Sequence, residues 1–191
     1  MFNLSQVPET TWAYLAGLVD GEGYLYVFLH SNPSYRKQIK KGYAREFRCF
    51  ISSGSKDLLE KVQTNIGNIG TITRHKYKPE TLKQEKYRGK HRVDNYTLRF
   101  YQGDLRKILP KVIPYLILKK DPAEIMLKML EMAKKIRNQQ LRERTLLLMQ
   151  REFDEACFKT AGNKYRKNRK QDLIMERTIG KDGEIKLSSF G

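Results

Sequence analysis

Trp12-Ala13-Tyr14-Leu15-Ala16-Gly17-Leu18-Val19-Asp20-Gly21-Glu22-Gly23 is the stretch that decides how the rest of the chain packs. Up to Asp20 it has helical spacing, with Ala13, Ala16, Gly17 and Asp20 on a stripe of small side chains and Trp12, Leu15 and Val19 on a bulky one. The bulky stripe predicts burial in the chain's own core. The small stripe predicts contact with a second helix, because Ala and Gly let two helix axes come close. Asp20-Gly21-Glu22-Gly23 predicts the end of the helix, its glycines supplying the special backbone angles of a stop. Two carboxylates at a helix C-terminus face the negative end of the dipole, which costs a few tenths to about 1 kcal/mol unless a cation compensates. Two copies of this helix packed small face to small face would bring both acid pairs together as hard-oxygen ligands suited to Mg²⁺. An ordinary amphipathic helix with a glycine-rich cap has the same spacing, so spacing alone leaves both readings open.

Composition narrows the class of partner. With 191 residues the chain is long enough for one well-buried domain, or one domain with a small extension. Lys and Arg number 38 against 21 Asp and Glu, a net charge of +17 that asks for a polyanion, DNA or RNA. Cys49 and Cys157 are too few and too far apart for a zinc site or a disulfide framework, and read as reduced thiols. No apolar run reaches the roughly 18 residues that span a bilayer, and the first residues do not read as a signal peptide, so no membrane partner and an intracellular location are expected.

Residues 1–9 read as an arm, with Thr10 or Thr11 capping the first helix. After the acidic stop, Tyr24-Leu25-Tyr26-Val27-Phe28-Leu29-His30 alternates as a strand, aliphatics inward and three aromatics and a histidine outward. A second strand over residues 45–52 sets Phe47, Cys49 and Ile51 inward and Glu46, Arg48 and Phe50 outward, making a long hairpin with a basic tip. A helix from Ser55 or Lys56 to Asn65 ends at Gly67. A third strand near residues 69–78 places Thr71, Thr73, His75 and Tyr77 on one face. A fourth, over 93–101, buries Tyr96, Leu98 and Phe100 and exposes Asn95, Thr97 and Arg99. Between the last two strands, residues 79–90 read as an extended loop; eight Lys or Arg against Glu80 and Glu85 in residues 74–92 suit a tip that reaches phosphates. A helix beginning at residues 104–109 runs into the Pro110–Pro114 break. Two amphipathic helices over 122–137 and 139–160 carry Ile125, Met129 and Met132, and Leu141, Leu148 and Phe153, as core stripes. The basic run Lys164-Tyr165-Arg166-Lys167-Asn168-Arg169-Lys170 opens a C-terminal extension over 161–191, beyond a domain over 1–160, with a weak hairpin signal at residues 180–183. This order of elements is α+β, an antiparallel sheet with helices on one face.

Leu15-Ala16-Gly17-Leu18-Val19-Asp20-Gly21-Glu22-Gly23 resembles the signature of the LAGLIDADG homing endonucleases, by identity or conservative replacement at every position. No second copy occurs, so the resemblance is to the single-motif members, which work as homodimers. It implies a saddle-shaped sheet whose outer face lies in the DNA major groove, where a β-ribbon meets a full donor and acceptor code. The outward residues are then the candidate DNA readers: Tyr26, Phe28, His30, Asn32, Tyr35, Arg48, Thr73, His75, Asn95 and Thr97. It implies that Glu22 is the metal-binding catalytic acid, with the Gly21 carbonyl as a further ligand, and that Asp20 serves helix termination and packing at the dimer seam with Ala13, Ala16 and Gly17. Pro114-Tyr115-Leu116-Ile117-Leu118-Lys119 resembles the segment that carries an active-site lysine, here Lys119. The polar water-organising position at the end of the second strand falls near Ser53, with Lys56 as a basic group in the same region.

The activity so implied is Mg²⁺-dependent double-strand cleavage of a long pseudo-palindromic DNA target by a homodimer, leaving 3′ overhangs. A metal ion makes bound water a nucleophile and stabilises the leaving oxygen. The place implied is an organelle, chloroplast or mitochondrion, or a prokaryotic cytoplasm. The rival readings are an intron RNA splicing cofactor (maturase) or a non-cleaving DNA-binding protein of the same fold, and a basic ribosome-associated structural protein. Clustered acids argue for the nuclease, since a pure binder has no reason to set carboxylates against DNA.

Overall fold

The computed structural model describes residues 4–30, 44–75 and 95–161. The bulky stripe forms helix α1 (Glu9–Glu22), with Trp12, Leu15, Ala16 and Val19 all buried. Pro8 occupies the N-cap position and no side chain caps the helix, so neither Thr10 nor Thr11 does so. The expected arm is in part structured: Leu4–Gln6 forms a 3-10 turn and Val7 is buried against the core.

The helix does not stop at Asp20. It continues through Glu22, and Gly23 is extended (φ −80°, ψ 151°), its N–H donating to the Val19 carbonyl. No left-handed residue is involved. Glycine is needed at 23 because a Cβ there would lie 2.5 Å from the Val19 carbonyl oxygen and 2.6 Å from its Cα. Left-handed glycine does its expected work further on, where Gly67 (φ 81°) follows helix α2 (Lys56–Asn65). Ser55 caps the start of α2, its Oγ accepting from the Leu58 N–H at 3.2 Å.

Strands β1 (Gly23–His30), β2 (Ala44–Ser53), β3 (Thr71–His75) and β4 (Asn95–Tyr101) form one antiparallel sheet in the order β1-β2-β4-β3. Alternation decides its two faces. Leu25, Val27, Phe47, Cys49, Ile51, Leu98 and Phe100 are buried on the inner face. Helices α1, α2, α3 (Gln102–Val112), α4 (Lys120–Lys135) and α5 (Gln139–Ala161) supply the rest of the core, through residues such as Leu59, Leu105, Ile108, Met126, Met129 and Leu146. Burying a Leu, Ile, Phe or Met side chain contributes about 1.5–3 kcal/mol, which is why the helices gather on this face alone.

Two expectations about the C-terminal helices change. Met129 and Phe153 are buried as expected, but Met132, Leu141 and Leu148 are exposed, and the stripes are completed instead by Met126 and Leu130 on α4 and by Leu146 and Gln150 on α5. Gln150 faces inward because its Nε2 donates to the Val27 carbonyl at 3.1 Å, on the outer edge of β1. α3 carries Pro110 inside it, and a 3-10 turn (Ile113–Tyr115) follows directly. The basic hairpin tip, the loop over 79–90 and the tail from 162 lie outside the described residues. Among the described residues, no helix is long and apolar enough to cross a membrane.

Candidate active site

The outer face of the sheet is built in rows fixed by register. One row runs Ser52, Thr97, Thr73 across β2, β4 and β3; the next runs Tyr24, Phe50, Arg99, Thr71; a third runs Tyr26, Arg48, Tyr101. The hydroxyls of Ser52 and Thr97 are 3.2 Å apart, and the Thr73 Oγ1 donates to the Thr97 carbonyl at 3.3 Å. Tyr24 and Phe50 stack, ring centroids 6.3 Å apart and planes 5° from parallel. The Arg99 guanidinium lies 5.8 Å from the Phe50 ring centroid, and its Nη2 is 3.0 Å from His75 Nε2. Glu22 opens onto these rows: with Tyr24, Phe50, Ser52, Thr97 and Arg99 it lines a shallow cleft of about 250 Å³ on the outer face.

Behind Glu22, the chain grips its own helix end. The Asp20 carboxylate accepts three backbone N–H groups from one short strap, Ile117 at 2.7 Å and Leu118 at 3.2 Å on Oδ2, and Lys119 at 2.8 Å on Oδ1. In return the Lys119 ammonium donates to the Val19 carbonyl at 2.9 Å and to the Asp20 carbonyl. Lys119 is therefore the cation that two acids at a helix C-terminus require. Burial pushes its amine below the ordinary lysine range, opposed by the charges of Asp20 and Glu22. Two of its three donors are spent on the helix end, which leaves one for a ligand.

The predicted residues have different settings. Glu22 and Lys119 are brought to the same helix end, and Gly21 lies there with a carbonyl that has no helical partner one turn on. Asp20 is turned into its own chain by the strap. Tyr26, Arg48, Thr73, His75, Asn95 and Thr97 share the outer face by register, although several are engaged there. Arg48 pairs with Glu46 at 2.5 Å and lies 5.6 Å from the Tyr101 ring centroid, and Thr97 is buried between its neighbours rather than exposed. Burial pushes the Tyr26 hydroxyl upward, with Glu46 adding to it. Phe28 and His30 are placed on β1 by register, opposite Glu46 and Ala44. Asn32 and Tyr35 lie outside the described residues.

Two placements revise the expected roles. The serine that lines the cleft is Ser52; Ser53 has the parity of the inner face, and its Oγ accepts from the Ser55 N–H at 3.0 Å to shape the turn into α2. Lys56 pairs with Glu60 at 2.6 Å one helical turn on, away from the cleft. At the small stripe, Ala13 and Gly17 are exposed, and a Cβ on Gly17 or Gly21 would meet nothing within 4 Å. Ala16 is fully buried in the chain's own core, because its helical phase lies about 40° from Trp12 and about 60° from Val19, against about 100° from Gly17. Arg99 was legible only as an outward residue of β4; its place beside Glu22 needs the register of three strands.

This fold, an antiparallel sheet with one covered and one open face and an acid-tipped helix at its edge, is that of the LAGLIDADG homing endonucleases. Three solved structures carry the likeness. The homing endonuclease I-CvuI in complex with its target is 18% identical with a TM-score of 0.57, over 87% of this chain and 94% of that one. The archaeal intron-encoded homing endonuclease I-Vdi141I, complexed with DNA, is 16% identical with a TM-score of 0.59, over 90% and 99%. The I-SmaMI LAGLIDADG homing endonuclease bound to cleaved DNA is 20% identical with a TM-score of 0.56, over 84% of this chain and 48% of that one, so this chain spans about half its length. No family model and no curated protein matches the chain.

Proposed function

We propose that this protein is a site-specific DNA endonuclease that acts as a homodimer, cutting both strands of a pseudo-palindromic target with a divalent metal ion and leaving 3′ overhangs. The observation that carries the reading is Glu22, an exposed carboxylate at a helix end that opens onto the outer sheet face between Ser52 and Arg99. A protein that only binds DNA gains nothing from a carboxylate there, since it repels the phosphates.

The donor set fits a divalent ion of the Mg²⁺ type. Among the described residues, no cluster of three or more His, Cys, Asp or Glu forms a cage. Mg²⁺ is ordinarily held by one or two carboxylates together with substrate phosphates, so one Glu22 per chain, the Gly21 carbonyl and a phosphodiester suit it. When bound, the ion supplies an acidified water and stabilises the departing 3′ oxygen. The chain's own residues do the rest. Lys119 holds the end of α1 and keeps a positive charge behind Glu22, the Ser52 and Thr97 hydroxyls offer hydrogen bonds at the cleft, and the outer rows bind the groove.

Dimerisation accounts for what one chain leaves open. A single Glu22 cuts one strand, and the exposed face of α1 at Ala13, Gly17 and Gly21 carries no side chain larger than a methyl, which suits a second helix laid against it. Near-complete coverage of I-CvuI and I-Vdi141I, against half of I-SmaMI, supports a chain that needs a second copy to complete the arrangement. Twofold symmetry then makes the target pseudo-palindromic.

The test is incubation of the purified protein with sheared DNA from its own host and Mg²⁺, mapping new ends by sequencing, with Glu22→Gln alongside. A recurrent site with staggered ends, absent from the variant, is the expected outcome. Tight binding by both proteins with no new ends from either would overturn the nuclease reading in favour of a binding or splicing role, with RNA the next ligand to test.

A further inference from the structure

Arg99 is held in one pose by two contacts, and one of its donor atoms is left unpaired. Its guanidinium lies over the face of Phe50, 5.8 Å from the ring centroid. Its Nη2 is 3.0 Å from His75 Nε2. Its Nε is buried and has no hydrogen-bond partner. Arginine only donates, so in the contact with His75 the Nε2 atom is the acceptor. A side chain with this much rotamer freedom is costly to order. Here the ordering is already done by an aromatic floor and an imidazole acceptor, which is what rigid recognition of a flat acceptor pair requires.

The position of the guanidinium says which acceptor. β4 is an inner strand, flanked by β2 and β3, and Arg99 sits in mid-sheet between Phe50 and Thr71. A ribbon laid in the major groove turns its middle toward base edges and its rims toward the phosphates. The base that offers two acceptors to a fork of N–H donors is guanine, through O6 and N7.

We propose that Arg99 is a specificity-determining residue that reads a guanine in the half-site beside the Glu22 cleft, and that His75 is a positioning residue that orients it rather than a base reader itself. The proposal rests on the DNA-binding reading above. The relevant half-site position would be fixed as guanine, and it would be repeated by symmetry in the other half.

The experiment is selection of bound sites from a randomised duplex library by the full-length Glu22→Gln protein, so that binding is read apart from cleavage. Arg99→Gln, His75→Ala and His75→Gln are added to that background, and each variant's thermal melt is recorded. The expected result is a site from the parent protein with one strongly fixed guanine per half. Arg99→Gln would lose that preference by tenfold to a hundredfold, on the order of one bidentate pair, with the other positions unchanged. His75→Ala would relax the same position, and His75→Gln, whose side-chain oxygen can still accept from Nη2, would restore it; a purely structural role for His75 would not follow that pattern. An even loss of affinity with all base preferences intact would place Arg99 on a phosphate and overturn the proposal. Relaxation at a different position in the histidine variants would make His75 a reader in its own right and overturn its positioning role. Failure of the parent protein to select any DNA would instead overturn the DNA-binding reading itself.

Discussion

Removing the Asp20 carboxylate should loosen the strap that carries Lys119, and the structure sets the size of the effect. Asp20→Ala strands three backbone donors, the N–H groups of Ile117, Leu118 and Lys119. A hydrogen bond to a charged group contributes about 1.5–3 kcal/mol net, and the partly buried Lys119 N–H falls at the low end of that range. The Ile117 and Leu118 donors are exposed, water replaces the carboxylate there, and each loses only about 0.5 kcal/mol. Relief of an acid at the negative end of the helix returns a few tenths, leaving a loss of about 2 kcal/mol. For a domain of this size that is a fall in Tm of roughly 4–8 °C. Asp20→Asn keeps one acceptor oxygen but sets an amide donor against one of the strap donors, so its Tm should lie between those of the wild type and Asp20→Ala. Melts need matched protein concentrations, because an associating chain has a concentration-dependent Tm. The proposed cleavage should fall in the same order, since the ammonium of Lys119 is carried by that strap. A Tm for Asp20→Ala within about 1 °C of wild type would refute the reasoning, because stranded donors that cost nothing are not holding the strap.

The glycines of the motif allow packing within the chain and the proposed packing between chains to be tested separately. Gly23→Ala drives a Cβ into the backbone of Val19 at 2.5–2.6 Å, so unfolding experiments should show a loss of about 3 kcal/mol, the upper range for overpacking. Gly17→Ala meets nothing within 4 Å; in the single chain it should be neutral or stabilising by up to about 1 kcal/mol of helix propensity, yet it should weaken self-association in sedimentation measurements. Unchanged association would remove this face from the dimer seam. Burial pushes the thiols of Cys49 and Cys157 from 9.0 up to about 12. Between those values the unfolded chain has released protons that the folded chain retains, so stability should fall as pH rises across the window. Lys119, pushed down by burial, acts in the opposite sense, so the comparison is made with Lys119 intact: the Cys49→Ala, Cys157→Ala double variant should show a flatter alkaline decline in urea unfolding, and an identical decline would count against it.

Strand alternation made much of the fold legible in advance. Phe47, Cys49 and Ile51 against Glu46, Arg48 and Phe50 can be sorted into faces by counting, because the period of a strand is two and a buried face tolerates no slip. Helix phase was harder to read on α5, where Leu141 and Leu148 recur at a helical interval but face outward while Gln150 turns in to reach the β1 edge. Ser52 and Ser53 differ by one residue and therefore by a whole face, and a position read only as the end of the second strand does not choose between them. Arg99, His75 and Phe50 belong to three strands, and only the register brings them together.

The two acids of the motif have opposite tasks because the helix runs through both. At 3.6 residues per turn, neighbours two apart on a helix point about 200° away from each other. Asp20 therefore faces the strap at Ile117 to Lys119, while Glu22 faces the cleft with Ser52 and Arg99. Had the helix stopped at Asp20, as its glycines suggest, that phase would not bind the second acid. Gly23 holds the phase by letting the strand leave across the Val19 carbonyl, where a side chain would force the helix to unwind early. Lys119 completes the arrangement, because the same residue that donates its backbone N–H to the inward acid places its ammonium on the helix end that carries the outward one. The charge that makes Glu22 tolerable at a helix C-terminus is thus delivered by the partner of Asp20, and neither acid is interchangeable with the other.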